Sequence, residues 1–184
     1  MAAARKPAVL LVDGYNIIGA WPRLCDLRDR HGLESAREAL MEALSNYSAY
    51  QDYVTELVFD AHYQTTPANR EVITSHLAVC YTDADQTADS YIELACVTYF
   101  REDSRRFKRR LIVATSDNAH RNTITGFGAE WMSAHRLAMD VEEAEVAVRR
   151  IRRRQQAAPR PTLAQGLNPE VSRKLRALLI PDQG

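Results

Sequence analysis

Acidic side chains in this sequence fall at the ends of apolar runs, where an α/β protein could use them for chemistry. Asp13, Asp60 and Asp117 each follow a short apolar stretch that predicts a buried strand. In a parallel sheet these side chains would emerge at one edge, where open α/β sheets usually bind ligands. Asp89 and Glu93 are four residues apart, so they share one face of a predicted helix. The spacing therefore predicts one site that collects five carboxylates.

Such a cluster would resist full ionisation unless a cation were bound. Two negative charges about 5 Å apart repel by roughly 3 kcal/mol at an effective dielectric constant near 20. Oxygen ligands suit Mg²⁺ or Mn²⁺, whereas the three cysteines lack the CxxC spacing of a zinc site. A divalent cation in this setting lowers the pKa of bound water and neutralises a phosphate, which points to phosphodiester hydrolysis.

Basic residues are concentrated in the second half of the chain. Residues 1–100 contain 7 Lys or Arg and 14 Asp or Glu, whereas residues 101–184 contain 17 and 10. Two clusters dominate, and such clusters can neutralise nucleic-acid phosphates, although a solvated helix end is the simpler explanation for each. The residues predicted to bind RNA are Arg105, Arg106, Lys108, Arg109, Arg149, Arg150, Arg152, Arg153 and Arg154.

Strand and helix patterns alternate along the chain, which predicts an α/β fold with a parallel sheet. The pattern predicts strands over residues 8–13, 54–59, 77–81 and 111–114 and near Trp131, and helices over residues 33–51, 87–100, 120–125 and 133–154. Residues 14–22 predict a turn-rich segment and residues 63–75 a loop. We expect one domain over residues 1–156, followed by a linker and a short helix within residues 157–184. No apolar run approaches the roughly 20 residues that cross a bilayer, so we expect a cytoplasmic protein that does not contact a membrane.

Four separated segments resemble those of the YacP-like NYN domains, a branch of the PIN-like nucleases. They are DGYNIIGAWP at residues 13–22, VFDAH at 58–62, QTADSYIE at 86–93 and ATSD at 114–117. The resemblance implies a PIN-like/NYN fold, with a central, mainly parallel sheet flanked by helices and a basic C-terminal helical extension. It also implies a metal-dependent endoribonuclease that uses Mg²⁺ or Mn²⁺, with mRNA as substrate and the ribosome as a partner.

Residue roles follow from the same resemblance. Asp13, Asp89 and Asp117 would be the catalytic, metal-binding carboxylates, supported by Asn16, Asp60 and Glu93. Simpler roles stay open: Asp60 could end a strand, Glu93 could be a solvated helix residue, and Asp117 could be a helix N-cap.

Other polar and aromatic residues could have either a functional or a purely structural role. His62, His120 and His135 could contact phosphate, but packed or surface histidines are more common. Tyr15 and Trp21 could stack on bases or simply pack in a loop.

Two other functions compete with a metal-dependent endoribonuclease. A catalytically silent RNA- or ribosome-binding module would use the basic clusters without needing Asp13, Asp89 and Asp117 together. A DNA-directed PIN-like nuclease would use the same carboxylates. A phosphatase of the DxDx(T/V) type is excluded because Tyr15 stands where its second acid would be.

Overall fold

The computed structural model describes residues 7–60 and 69–157. Within them the strands are β1 (Ala8–Asp13), β2 (Tyr53–Phe59), β3 (Asn69–Val72), β4 (Leu77–Tyr81), β5 (Arg110–Ala114) and β6 (Glu130–Met132). The helices are α1 (Gly14–Ala20), α2 (Pro22–His31), α3 (Leu33–Gln51), α4 (Ala88–Arg101), α5 (Asn118–Gly126) and α6 (Ala134–Ala157), with a 3₁₀ turn at Ser104–Phe107.

The six strands form one sheet in the order β3-β4-β2-β1-β5-β6. Every neighbouring pair is parallel except β3 and β4, which are antiparallel. The first strand lies inside the sheet, between β2 and β5, and all six of its residues are buried. Its continuous apolar run suits a strand covered on both faces, as the sequence predicted.

Helices cover both faces of the sheet, and successive residues of β1 point to opposite sides. Leu10 and Val12 pack into a core shared with α1, α2, α3 and the first half of α6. Val9 and Leu11 pack into a second core with α4 and α5. This alternation is the two-residue period of a strand.

Several predicted elements are confirmed by the structure. The helix over residues 33–51 and the strand over residues 77–81 have the predicted bounds. Thr87 caps α4 by accepting a hydrogen bond from the backbone N–H of Ser90, and the Ser133 hydroxyl accepts one from the N–H of Arg136 at the start of α6. Local capping signals therefore set the start of both helices.

Two segment predictions were wrong. The residues after Asp13 form α1 and α2 instead of a turn-rich segment, because the Asp13 side chain caps α1 and Pro22 occupies the first position of α2. Part of the predicted loop at residues 63–75 forms β3, whose four residues are all exposed. This strand pairs with β4 through backbone groups, and because its side chains are exposed the sequence shows no apolar pattern there.

By contacts within the chain, Met1–Val148 form one compact unit and Arg149–Gly184 a second. The predicted domain end at residue 156 stays a prediction, and the predicted linker and terminal helix after residue 157 lie outside the described residues. None of the described helices combines the length and the apolar character that crossing a bilayer requires.

Candidate active site

Three of the predicted carboxylates lie at or just beyond the carboxyl ends of neighbouring parallel strands. Asp13 ends β1, Asp60 follows the last residue of β2, and Asp117 lies three residues beyond β5. These strands are neighbours in the sheet, so the three residues leave it at adjacent positions. Asp89 belongs to the first turn of α4, the helix that follows β4.

Asp13 is the most buried of these acids, with 8% of its surface exposed. Its Oδ1 accepts a hydrogen bond from the backbone N–H of Asn16 at 3.1 Å, which caps α1. A Cβ on Gly14 would lie 2.3 Å from the Phe59 ring, so glycine is required for α1 to begin this close to β2. The local packing thus holds Asp13 at the edge with little freedom.

The pKa of Asp13 is raised from its ordinary 3.8 to about 6, chiefly by burial and also by the negative charges of Asp89 and Asp60. The hydrogen bond from the Asn16 N–H and the electrostatic interaction with His120 lower the pKa of Asp13. The carboxylate form of Asp13 is therefore costly in this setting. A bound cation would relieve that cost.

A buried histidine lies between the two acids of α4. The His120 side chain is 2% exposed, and its Nδ1 is 2.9 Å from Oδ1 of Asp89. Its Nε2 is 3.7 Å from Oε1 of Glu93. Neither ring nitrogen makes a hydrogen bond of regular geometry within the part of the chain that the structure describes. Two acids of α4 thus lie beside one buried imidazole from α5.

Asn16 joins two of the loops at this edge. Its side-chain Oδ1 accepts hydrogen bonds from the Ser116 backbone N–H at 2.6 Å and from the Ser116 hydroxyl at 2.5 Å. These bonds tie the start of α1 to the turn between β5 and α5. The predicted role of Asn16 as a support of the catalytic carboxylates stays a prediction.

Asp117 is the N-cap of α5, as one of the two readings of the sequence proposed. Its Oδ1 accepts a hydrogen bond from the backbone N–H of Ala119 at 2.7 Å. Its own N–H donates to the buried Thr115 hydroxyl at 3.1 Å. Capping by one oxygen leaves ligation through the second oxygen compatible with this geometry.

The donor chemistry at the edge fits a hard divalent cation, because the acids supply oxygen and the burial of Asp13 favours charge neutralisation. As they stand, residues 7–60 and 69–157 contain no group of three His, Cys, Asp or Glu side chains close enough to hold a metal ion. Assembly of Asp13, Asp89 and Asp117 around one ion therefore stays a prediction.

Comparison with known proteins identifies the family. The family model for the YacP-like NYN domain matches residues 10–179. This chain belongs to that family. The NYN domain is 37% identical over 147 residues to the uncharacterized protein YacP of Bacillus subtilis strain 168, which covers 79% of this chain and 80% of YacP.

Two crystal structures of Rae1 (YacP) from Bacillus subtilis resemble the NYN domain in fold. A tryptophan-to-leucine mutant matches with a TM-score of 0.66 and 31% identity, over 92% of this chain and 99% of that one. A second Rae1 (YacP) structure matches with a TM-score of 0.65 and 31% identity, over 93% and 94%. Because NYN domains are generally nucleases, membership indicates a nuclease.

The first basic cluster, at residues 105–110, lies at the opposite edge of the sheet from the carboxylates. Arg110 begins β5, and its backbone N–H bonds to the carbonyl of Pro7, just before β1. Arg109 donates to the carbonyl of Asp52, just before β2, at 2.7 Å. Both contacts are at the amino ends of strands. RNA binding here would not place a substrate directly at Asp13.

Most arginines of this cluster also have partners within the NYN domain. Arg105 pairs with Asp103, and Arg106 donates to the carbonyls of Phe100 and Arg101 at the end of α4. Lys108 is exposed. Their predicted RNA binding stays a prediction, and the arginine contacts favour a structural role.

The second basic cluster occupies the last turns of α6. Its five arginines are all exposed: Arg149, Arg150, Arg152, Arg153 and Arg154. A run of this length covers more than one side of a helix, so the cluster presents a broad positive surface. Its predicted contact with RNA stays a prediction.

His120 is the site residue whose place the sequence did not reveal. It was considered a packed histidine, and it is packed, but against carboxylates of the site. Its position three residues after Asp117, in the first turn of α5, was the available signal. His135 is exposed on α6, and His62 lies outside the described residues.

The two aromatic candidates for base stacking pack within the NYN domain. Trp21 is 5% exposed and donates its indole N–H to the carbonyl of Ala134 at 2.8 Å. Tyr15 packs on Phe59 with ring centroids 4.9 Å apart, and Arg37 donates to its hydroxyl at 3.0 Å. Packing is thus the observed role of both rings.

Proposed function

We propose that this NYN domain is a divalent-metal-dependent endoribonuclease that hydrolyses RNA phosphodiester bonds. The observation that carries the proposal is the buried carboxylate of Asp13, whose ionised form is opposed by burial and by the charges of Asp89 and Asp60. A protein gains nothing in stability from such a cluster, so a functional cation is its best explanation.

The proposed ligands are Asp13, Asp89 and Asp117, with Mg²⁺ or Mn²⁺ as the ion. When bound, the ion supplies a water of lowered pKa and positive charge at the scissile phosphate. Asn16 holds the turn before α5 in place through Ser116. Asp60 adds negative charge next to Asp13, and Glu93 contacts His120.

RNA is the proposed substrate, with mRNA as the main target and the ribosome as a partner that presents it. This choice rests on the resemblance to YacP-like domains and on the exposed arginines at the end of α6. Arginine forms bidentate contacts with phosphate, and it does so without regard to sequence. The α6 cluster is therefore assigned to binding and the carboxylates to chemistry.

Metal dependence is tested with the purified wild-type protein. In Mg²⁺ or Mn²⁺ it should cut single-stranded or ribosome-associated RNA, excess EDTA should stop cleavage, and added Mn²⁺ should restore it. End-labelled RNA and single-stranded DNA of the same sequence are compared on gels. Cleavage that continues in EDTA would contradict the proposal.

Two further outcomes of this assay identify the competing functions. Cleavage of DNA but not of RNA would show a DNA-directed nuclease. Binding of RNA or ribosomes without cleavage of either naked or ribosome-associated RNA would show a silent binding module.

The role of the α6 arginines gives a separate prediction. Changing Arg149, Arg150, Arg152, Arg153 and Arg154 to Gln should weaken association with RNA or ribosomes. It should also flatten the dependence of affinity on salt, because fewer counterions are released. Each lost phosphate contact on a single strand lowers the log–log slope by about 0.7, so five lost contacts lower it by up to about 3.5. Binding measured over a salt series checks this.

A charge-matched control separates a local effect from net charge. It carries five Arg-to-Gln changes on exposed arginines elsewhere: Arg23, Arg28, Arg30, Arg70 and Arg136. This control should keep most of the affinity and slope. Equal losses of affinity and slope in the two variants would show that the α6 cluster is only a solvated helix end.

A further inference from the structure

The buried imidazole of His120 has no role in the proposed ligand set, yet it lies among the carboxylates. Its ring is 2% exposed, whereas the side chains of Asp89 and Glu93 are 47% and 39% exposed. The ring is thus buried beneath the two more exposed acids. Burying a polar ring costs free energy unless its nitrogens find polar partners. The position of His120 beside two carboxylates therefore calls for an explanation.

The two ring nitrogens face different acids. Nδ1 lies 2.9 Å from Asp89, and Nε2 lies 3.7 Å from Glu93. Neither nitrogen has a hydrogen bond of regular geometry to any group in residues 7–60 and 69–157. The carboxylates of Asp89 and Glu93 are therefore the polar groups beside the ring nitrogens, and Asp89 is the nearer.

His120 also links the elements that carry the proposed ligands. It belongs to the first turn of α5, which Asp117 caps, and it contacts Asp89 in the first turn of α4. His120 thus brings the helix that Asp117 caps into contact with the helix that carries Asp89.

We propose that His120 is a positioning residue that holds the carboxylate of Asp89, the nearer of the two acids, in the orientation needed for metal binding. This inference rests on the proposed function. A half-exposed acid at the start of a helix would otherwise distribute among several rotamers in water, and that freedom would have to be lost on binding. Groups that orient metal ligands in this way typically contribute 10- to 100-fold to metal affinity.

Three substitutions separate the two nitrogens. His120→Asn places an amide nitrogen near the position of Nδ1 and retains a donor toward Asp89. His120→Gln places one near Nε2, toward Glu93, and His120→Phe keeps a ring without nitrogen. Mn²⁺ affinity, measured by EPR of the free ion, should follow the order wild type, Asn, Gln, Phe. The loss in the Phe variant should be about 10- to 100-fold.

A matched control uses a histidine with a structural contact elsewhere. His76 precedes β4, and its Nδ1 lies 3.1 Å from the carbonyl of Tyr53, at the amino edge of the sheet. His76→Phe should leave Mn²⁺ affinity unchanged. Urea unfolding of every variant shows which changes come from lost stability. A merely structural role for His120 would lower stability in the Phe variant without moving Mn²⁺ affinity in the folded protein.

The outcomes distinguish this inference from the proposed function. If the wild-type protein binds Mn²⁺ but cuts no RNA, the proposed function fails and the order of Mn²⁺ affinities still decides the role of His120. Equal affinities in the Asn and Phe variants, an unchanged affinity in all three, or no Mn²⁺ binding by the wild type would each overturn the inference. Rescue by Asn with loss in Phe supports it.

Discussion

Asp13→Asn and Asp89→Asn should each reduce RNA cleavage by more than about 100-fold, because each removes a charged ligand and ligands matter more than the groups that orient them. Asparagine keeps nearly the same volume. At position 13 it also keeps an oxygen that can accept the Asn16 N–H, and Asn is as good an N-cap as Asp. Cleavage rates at saturating Mg²⁺, with circular dichroism as a check of folding, measure the effect.

Asp26→Asn is a suitable control for these two variants. Asp26 lies on α2 in an exposed pair with Arg30 at 2.8 Å. Its replacement changes the net charge by the same amount and should leave cleavage unchanged. If both active-site variants cleave RNA as fast as this control does, the assignment of Asp13 and Asp89 is wrong.

The same Asp13→Asn substitution should stabilise the protein when no metal is present. Asp13 has a pKa of about 6 in the folded chain and an ordinary value of 3.8, so between these pH values the folded state binds more protons than the unfolded state. The free energy of unfolding therefore falls as the pH rises through about 6. One pKa unit corresponds to about 1.4 kcal/mol, so the variant should gain up to about 3 kcal/mol at pH 8.

Urea unfolding in EDTA at pH 8, 6 and 4.5 tests the direction of this pH dependence. The advantage of the Asn variant should shrink toward pH 4.5, where the wild-type carboxyl is protonated. Mn²⁺ should then stabilise the wild-type protein more than the variant, because ligand binding to the folded state raises its stability. An advantage that is constant with pH would contradict a burial-raised pKa at Asp13.

Local signals in the sequence account for the elements that were predicted correctly. The apolar run of β1, the three- and four-residue spacing along α3 and the Thr87 cap of α4 each depend on residues close in the chain. The family segments around Asp13 and Asp117 added the likeness that the comparisons confirm. Parallel topology then brought the acids to one edge.

What was missed depends on contacts between distant residues. The exposed residues of β3 pair with β4 through the backbone, so they carry no apolar pattern. The burial of His120 depends on α5 packing beside α4, which no local window of sequence contains. The cluster at residues 105–110 was predicted to bind RNA from its charge alone. Its position directly before a parallel strand places it at the other edge.

Asp13 is both the first cap of a helix and the acid of the central strand, and these two requirements differ in how strict they are. A helix N-cap accepts Asn, Ser or Thr in place of Asp at little cost. Under the proposed function, a relative with Asn at this position would lose a metal ligand, and with it cleavage, while α1 still begins at the same glycine. Superposed backbones would not distinguish such a pseudoenzyme from an active relative. The proposal thus makes the last residue of the first strand, and not the shape of the fold, the marker of activity among relatives.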